Sequence, residues 1–254
     1  MSKLDINKEF YNELYKKRNP IISLLYSKIS FDQQSKSKIN INVVKNYLGA
    51  AFNGPLTVLD YGFGHGSLLL KYKSNHKLYG CDISEEAVLN FPSVAKVTGK
   101  NVLTGGVEEF LSKYKEVKFD VITLSHIIEH VDDDVALVKS LVEKLTEKGI
   151  ILINIPINEV WIDPKHVRKY DIPYMLQVLE KCNLKLIESL ETDKLTSFFL
   201  IEEKVKNAGK LKLIFIKALR LFFALMPLAV MQGFERLFLK KHQNQQLIVL
   251  ALKK

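Results

Sequence analysis

Disulfide frameworks, leader sequences and membrane spans leave no signal in this chain of 254 residues. It has two cysteines, Cys81 and Cys182, and their positions suggest neither a disulfide network nor a metal-binding pair. No run of about 18 apolar residues is free of charge, so no ordinary transmembrane helix is expected. Residues 2–18 are polar and lack the apolar region of a signal peptide. These absences predict a cytoplasmic protein in a reducing compartment.

What the chain does have is a glycine-rich turn. The apolar segment 56–61 predicts a buried strand, and glycines follow at positions 62, 64 and 66. Glycine permits positive φ angles and lets the backbone approach a ligand closely. A helix is predicted from about Ser67, with its free N–H groups directed into the same space. Asp60 would repel a pyrophosphate but attract an amino group. The turn therefore predicts a nucleotide-type site whose ligand carries an ammonium group.

Strands and helices alternate from residue 56 onward, which predicts a doubly wound α/β fold with a seven-stranded, mostly parallel sheet. The continuous apolar runs at 118–124 and 149–155 are typical of strands covered by helices on both faces. The last two strands suit an antiparallel pair at one edge of the sheet. The predicted strands are 56–61, 77–82, about 97–103, 118–124, 149–155, 184–190 and 246–252, and the predicted helices are 67–73, 84–91, 107–115, 132–147 and 173–182.

Three regions are predicted along the chain. Residues 1–54 form an N-terminal helical cap, in which a polar link at 32–38 precedes a helix at 43–52. This cap either packs across one face of the core or serves as a lid over the site. Residues 55–202 and 243–254 form the core. Residues 203–242 form a basic, apolar helical insertion before the last strand.

Motifs at the ends of three predicted strands carry a family resemblance. They are Asp60-x-Gly-x-Gly-x-Gly66, Gly80-Cys-Asp82-Ile-Ser84 and Phe119–Val131, which contains Glu129-His130. Together they resemble class I S-adenosylmethionine-dependent methyltransferases, which implies the Rossmann-like methyltransferase fold and S-adenosyl-L-methionine as cofactor. The turn with Asp60 would hold the methionine moiety, and Asp82 the ribose. The cofactor-binding residues that the resemblance implies are Asp60, Tyr61, Gly62, Phe63, Gly64, Gly66, Asp82, Ile83, Gly106, Val107, Glu108, Ser125 and His126.

A dehydrogenase that binds a dinucleotide is the rival interpretation of the turn. Its fingerprint is G-x-G-x-x-G, and Ser67 stands where the third glycine is required. Asp82 would serve either class, because a ribose-binding acid is common to both. Glu129-His130 has no place in the dehydrogenase pattern, so the methyltransferase interpretation is favoured.

The loop after the fifth strand carries a second, narrower resemblance. Asn154-Ile-Pro156 and the run Trp161–Tyr170 are similar to a segment of methyltransferases of bacterial surface-glycan biosynthesis. The similarity implies that His166 and Arg168 face a methyl acceptor, and the alternative is a simple turn in which His166 caps a helix. We therefore expect O-methylation of a glycan or a lipid-linked glycan intermediate. The alternatives are methylation of a lipophilic small molecule such as a quinone precursor, and a non-catalytic cofactor-binding scaffold at a membrane.

An acceptor hydroxyl must lose its proton, and the candidate bases are His130, His126 and His166. His126-x-x-Glu129-His130 also resembles the Glu-x-x-Glu-His motif that ubiquinone-biosynthesis methyltransferases use with magnesium. On a helix these residues would share one face, and two imidazoles would favour a softer transition metal. A rim of hydrogen-bonding groups is preferred, so no metal ligand is assigned.

The excess positive charge of the chain is concentrated in one segment. The net charge is +9, and residues 204–241 contain nine Lys or Arg against one acid. Leu211–Met231 is strongly apolar, and a helical projection places Lys206, Lys210, Lys217 and Arg220 on one face. Residues 207–240 are therefore predicted to bind an anionic membrane surface, peripherally, at the inner face of the cytoplasmic membrane. A buried cap or a subunit interface is the alternative. The abundant Leu and Phe argue against nucleic acid, and the oligomeric state is left open.

Overall fold

A computed structural model of the protein describes residues 3–16, 19–160, 163–204 and 209–254. Trp161, Ile162 and Lys206, which the sequence analysis used, lie outside the described residues, as does the rest of the segment 205–208. The strands are β1 (Thr57–Tyr61), β2 (Lys77–Asp82), β3 (Val102–Gly106), β4 (Phe119–Ser125), β5 (Leu145–Pro156), β6 (Leu184–Thr192) and β7 (Gln246–Lys253).

Within the described residues these seven strands form one sheet in the order β3-β2-β1-β4-β5-β7-β6. Neighbouring strands are parallel from β3 to β5, whereas β7 runs antiparallel to both β5 and β6. The predicted fold class is therefore confirmed, including an antiparallel pair at one edge. All five parallel strands present their carboxyl ends to the same edge of the sheet, where open α/β folds bind their ligands.

Helices cover both faces of the sheet. Strand β5 shows why, since Ile151 and Ile153 belong to one buried cluster while Ile150 and Leu152 belong to another. Side chains cap several helices, as when the Ser84 hydroxyl accepts a hydrogen bond from the Ala87 N–H. The helices are α1 (Lys3–Tyr15), α2 (Pro20–Ile29), α3 (Phe31–Leu48), α4 (Glu85–Val97), α5 (Val107–Lys113), α6 (Asp134–Val142), α7 (Ile172–Lys181), α8 (Lys194–Lys204), α9 (Lys210–Leu225) and α10 (Leu228–Phe238).

The prediction for the third strand was wrong, because helix α4 does not stop before Pro92. It continues to Val97, and β3 consequently begins at Val102 rather than near residue 97. Proline removes one backbone N–H from a helix and so leaves the carbonyl four residues earlier without its usual donor. Here that carbonyl belongs to Val88, and the Thr104 hydroxyl donates to it at 3.3 Å. Burial of Val94 and of its neighbours stabilises the last turn of α4.

Two other predicted boundaries also differ from the structure. The polar link at 32–38 is helical and belongs to α3, because its polar side chains find partners; the Gln34 amide, for example, donates to the Ser27 carbonyl at 2.7 Å. The helix predicted at 132–147 ends at Val142, since Leu145 pairs with Phe119 and starts β5.

Helices α8, α9 and α10 lie between β6 and β7, and the division of the chain into three regions stays a prediction. An apolar cluster joins these helices to α3, with Phe31, Phe199 and Phe223 among its buried members. Within the described ranges, no helix is long and apolar enough to cross a membrane.

Candidate active site

The glycine turn after β1 has the backbone that its sequence predicts. Gly62, Gly64 and Gly66 have φ angles of 77°, 51° and 68°, in the region that side chains disfavour. A Cβ atom on Gly62 would lie 2.0 Å from Ile127 Cδ1, so the neighbouring chain also needs glycine there. The helix predicted from Ser67 is not formed. A single 3-10 turn, Leu69–Lys71, is found there instead. The glycine turn can therefore offer a ligand its own backbone N–H groups but not the N-terminus of an α-helix.

Two buried carboxyl groups flank this turn. Asp60 is 4% exposed, and within the described residues its carboxylate makes no hydrogen bond. Burial, with Asp82 nearby, raises the pKa of Asp60 to about 7. Asp82 is better supported, since its Oδ2 accepts from the Gly64 N–H at 2.8 Å and its Oδ1 from the Ser84 N–H at 2.9 Å. Burial still raises the pKa of Asp82. A cationic group entering beside Asp60 would relieve the cost of that buried carboxylate.

The adenine side of the predicted site lies at the ends of β2 and β3. Gly106 pairs with Asp82 in the sheet, so Gly106 and Val107 follow directly beside the second acid. Val107 is half-buried against the core, Glu108 is exposed, and Ile83 is half-buried. Tyr61 and Phe63 were also assigned to the cofactor, but both side chains are buried in the core clusters. Their backbone flanks Gly62 in the turn, and their assignment to the cofactor stays a prediction.

Helix α1 covers the glycine turn. The Tyr15 hydroxyl occupies the space that a Cβ on Gly64 would enter, at 2.6 Å, and its ring meets the His65 ring at 4.7 Å between centroids. Asn12 anchors the helix to the second strand, because the Ser84 hydroxyl donates to Asn12 Oδ1 at 2.8 Å. The cavity beside the turn is about 30 Å³, room for a water molecule or two. Tyr15 of α1, Tyr26 of α2 and Phe91 of α4 line this cavity, so α1 and α2 both pack over the turn.

At the end of β4, Ser125 and His126 meet residues that sequence reasoning missed. Asn40 of α3 is buried and donates to the Ser125 hydroxyl at 3.2 Å, while Asn154 of β5 donates to Asn40 Oδ1 at 2.8 Å. His126 has a positive φ of 58°, and its N–H donates to the Asn154 carbonyl at 2.8 Å. No sequence signal pointed to Asn40, because it falls just before the helix predicted at 43–52.

The three candidate histidines lie at this same edge of the sheet. His126 Nδ1 is 3.3 Å from Glu129 Oε1, and the rings of His130 and His166 are 4.9 Å apart. The segment 126–130 is not the helix that the metal hypothesis required, because only Ile128–His130 forms a 3-10 turn. Burial lowers the pKa of His126 well below its ordinary value and also lowers the pKa of His130. Both imidazoles are therefore neutral at physiological pH and can accept a proton.

Arg168, which the loop resemblance places near an acceptor, forms an ion pair with α6 in this structure, and its place at the acceptor stays a prediction. Its Nη1 lies 2.7 Å from Asp134 Oδ1, and Asp134 also accepts from the Tyr170 hydroxyl at 2.8 Å. The Arg168 side chain holds the pKa of Asp134 below its ordinary value, against the opposing effect of burial. Arg168 thus fastens the loop after β5 to the start of α6. Of the pair named from this loop, His166 alone lies beside the other histidines.

Residues 37–193, well over half of the chain, match a family described as a methyltransferase domain. The chain belongs to this family. No curated protein matches the chain. The matched segment begins within α3 and ends at the residue after β6, so α8, α9, α10 and β7 lie beyond it.

Three solved structures show how widely the methyltransferase fold is shared. The [4+2]-cyclase SpnF has 16% identity and a TM-score of 0.59, with 85% of this chain and 80% of that chain covered. A putative sarcosine dimethylglycine methyltransferase from Galdieria sulphuraria has 13% identity and a TM-score of 0.56, with 84% and 83% covered. Magnesium protoporphyrin IX methyltransferase (ChlM) from Synechocystis PCC 6803, solved with bound S-adenosylhomocysteine, has 13% identity and a TM-score of 0.57, with 98% and 99% covered. At these identities the likeness establishes the fold, not the substrate.

Proposed function

We propose that this protein transfers a methyl group from S-adenosyl-L-methionine to an acceptor hydroxyl at a membrane surface. The observation that supports this cofactor is the buried carboxylate of Asp60, which makes no hydrogen bond within the described ranges and lies beside a turn with three positive-φ glycines. The ammonium group of the cofactor supplies the cation that Asp60 lacks. Asp82 keeps free lone pairs on both oxygens beside its two backbone hydrogen bonds, and these can accept from the ribose hydroxyls.

The cofactor supplies an electrophilic methyl group on a sulfonium, and this chain supplies alignment, desolvation and removal of a proton. We assign Ser125 and Asn40, a hydrogen-bonded pair at the end of β4, to orienting the acceptor oxygen. The neutral imidazoles of His126 and His130 are the candidate acceptors of the hydroxyl proton. Helix α1 covers the glycine turn, which supports its role as the lid of this site.

The membrane surface is proposed from an exposed apolar face, which we define as Ile21, Ile22 and Leu25 of α2 with Leu211, Ile214 and Phe215 of α9. Helices α2 and α9 are in contact although about 190 residues separate them in the chain. We propose that their exposed apolar side chains form one surface. Ile21 is 66% exposed, Phe215 65% and Leu211 83%. Large apolar side chains gathered at one surface mark an interaction site.

The charge around this face favours anionic lipid. Lys210 and Lys217 are exposed on α9, within the segment of net charge +8 between residues 204 and 241. Apolar side chains with flanking cations on an interfacial helix are attracted by anionic headgroups. The face lies on α2, directly after the lid helix α1, so an acceptor held in the membrane can reach a site that opens at that surface. A lipid-linked glycan is the first candidate acceptor, and a lipophilic small molecule such as a quinone precursor is the second.

A flotation assay and a product assay test this proposal. Vesicles of phosphatidylcholine with and without phosphatidylglycerol are mixed with wild type, with Leu211→Gln/Ile214→Gln/Phe215→Gln, and with the matched control Leu89→Gln/Val97→Gln. Leu89 and Val97 are also exposed apolar residues, but on α4. We expect wild type and control to float with the anionic vesicles and the α9 variant to remain in solution. Equal flotation of all three proteins, or none for any, contradicts the membrane proposal.

The acceptor is then sought among lipid extracts. S-adenosylhomocysteine formation is measured with a lipid-linked glycan fraction, with a quinone fraction and without acceptor. If one fraction raises the rate above that without acceptor, that fraction identifies the chemical class of the acceptor. Donor binding without turnover on any fraction would support the non-catalytic scaffold instead.

A further inference from the structure

Glu129, His130 and His166 form a cluster that the proposed reaction does not by itself explain. Each residue offers one ligand atom, and these three atoms lie within 4.8 Å of one another. Glu129 and His130 come from the 3-10 turn after β4, and His166 comes from the loop after β5. The Val167 N–H donates to the Glu129 carbonyl at 2.7 Å, so a backbone hydrogen bond fixes the loop against the turn.

Within the described residues the Glu129 carboxylate is buried without a hydrogen bond, and burial raises its pKa although Lys36 is near enough to oppose that shift. It is 0% exposed, and among the described residues neither carboxylate oxygen has a hydrogen-bond partner. His126 Nδ1 lies 3.3 Å from Oε1 but does not form a hydrogen bond with it. Burying an ionised carboxylate without a partner is strongly unfavourable. The alternatives are a protonated acid or a cation bound between Glu129 and the two histidines.

The outer partners of the histidines favour the cation. His166 Nδ1 lies 3.1 Å from Glu159 Oε1, and because a carboxylate only accepts, Nδ1 carries the proton. His130 Nδ1 lies 3.4 Å from the Lys165 carbonyl, which likewise accepts. Both rings thus keep Nε2 as the nitrogen with a free lone pair. Metal-binding histidines show this arrangement, with the second nitrogen donating to a carboxylate or a backbone carbonyl.

We infer that Glu129 and the Nε2 atoms of His130 and His166 bind one divalent transition-metal ion. Two imidazoles and one carboxylate suit Zn²⁺, Mn²⁺ or Fe²⁺, whereas Mg²⁺ prefers an all-oxygen set. The site differs from the one considered from sequence, because His166 of a distant loop takes the place of His126. The Tyr11 hydroxyl of helix α1 lies 3.4 Å from His130 Nε2, so metal binding on that nitrogen replaces this contact. Metal binding also leaves His130 without a free lone pair, so that with the ion bound His126 is the candidate base of the two.

The position of the ion suggests its use. His126, whose Nδ1 lies 3.3 Å from Glu129 Oε1, directly follows Ser125 in the chain. If the acceptor oxygen binds beside Ser125, as proposed, an ion in contact with it would lower the pKa of the coordinated hydroxyl. This role rests on the proposed function. The binding of the ion does not, because it is measured without donor or acceptor.

A cobalt titration of the full chain, without a histidine tag, tests the site. Co²⁺ is added to wild type, Glu129→Gln, His166→Gln, Glu159→Gln and the control His242→Gln, and its visible absorption and binding heat are recorded. We expect one Co²⁺ per wild-type chain and unchanged binding by H242Q. E129Q and H166Q should bind at least a hundredfold more weakly, and E159Q about 10–100-fold more weakly, as for an outer partner of a metal ligand.

Two controls separate the outcomes. Glu129→Gln removes a buried unpaired charge, so we expect it to unfold at the same temperature as metal-free wild type or above it; lost binding is then not lost folding. S-adenosylhomocysteine binding is measured on the same samples, so that a failed metal site and a failed donor site give different results. Undiminished Co²⁺ affinity in both E129Q and H166Q, or no stoichiometric binding by wild type, overturns the inference.

Discussion

Asp60 offers a sharp test, because the carboxylate proposed to bind the donor is costly to the ligand-free protein. Burial and the nearby Asp82 raise its pKa from 3.8 to about 7. A carboxyl group with a raised native pKa holds its proton more tightly in the folded state. The stability that this contributes is fully present below about pH 4 and is lost as the pH rises to about 7. The difference of about 3 pKa units corresponds to about 4 kcal/mol in the free energy of unfolding.

The variant Asp60→Asn removes this titration. Relative to wild type, we expect its free energy of unfolding to gain about 3 kcal/mol between pH 5 and pH 8, because most of the loss occurs in that interval. Urea unfolding of both ligand-free proteins at several pH values measures the change, and any constant cost of the amide cancels in the comparison. Parallel stability curves for the two proteins from pH 5 to pH 8 would refute the reasoning.

The same carboxylate predicts how donor binding depends on pH. With a pKa of about 7, roughly a tenth of Asp60 is ionised at pH 6 and most of it at pH 8, so wild-type affinity for S-adenosylhomocysteine should rise about tenfold. Calorimetry should also detect the release of a proton on binding near pH 7. Affinity of Asp60→Asn should be weaker and nearly independent of pH over this range. A donor affinity that is equal in both proteins at pH 8 contradicts the assignment of Asp60.

Two further predictions concern stability. Gly66→Ala should lower the free energy of unfolding by about 3 kcal/mol, because residue 66 has a positive φ and its new Cβ would lie 1.9 Å from the Phe91 ring. The control Gly99→Ala has a φ of +70° but open space around the Cβ, so it should lower the free energy of unfolding by only about 1 kcal/mol. Equal shifts of the melting temperature in the two variants would contradict the clash. Arg168→Met should lower the free energy of unfolding by about 2 kcal/mol, since the buried Asp134 carboxylate loses its ion pair. Its affinity for S-adenosylhomocysteine should be unchanged. A stable Arg168→Met with abolished turnover would return Arg168 to the acceptor site.

The parts of this protein that could be predicted from sequence are those set by local backbone demands. Three glycines at alternate positions after an apolar strand predict positive φ angles, and the structure has them. Asp82 could be placed for the same reason, because the carboxyl ends of neighbouring parallel strands meet. For a polar residue in a helix, the local sequence does not indicate which distant residue it contacts. Asn40 binds Ser125 only because α3 crosses the end of β4.

The histidine cluster shows the other limit of sequence reasoning. The spacing of His126, Glu129 and His130 suggested one helical face, but that expectation assumed a helix where the structure has a 3-10 turn. The cluster contains His166 instead of His126, because the hydrogen bond from the Val167 N–H to the Glu129 carbonyl holds the loop of His166 beside Glu129 and His130. A hydrogen bond between segments almost forty residues apart leaves no trace in residue spacing. The sequence left open whether residues 1–54 pack on the core or form a lid, and the contact of Tyr15 with Gly64 was not predicted for the same reason.

The position of β7 in the sheet has a consequence for synthesis of the chain. β7 inserts between β5 and β6, yet about 90 residues separate it from the end of β5. At 5–20 residues per second, a ribosome needs about 5–20 s to make that stretch. During this time β5, with its continuous isoleucine and leucine side chains, can pair with β4 on one edge, but the edge that will bind β7 is unpaired. Open apolar edges of this kind pair readily with other chains. Newly made protein therefore needs a chaperone or a low local concentration until β7 emerges, and yield should fall steeply when synthesis is fast and crowded.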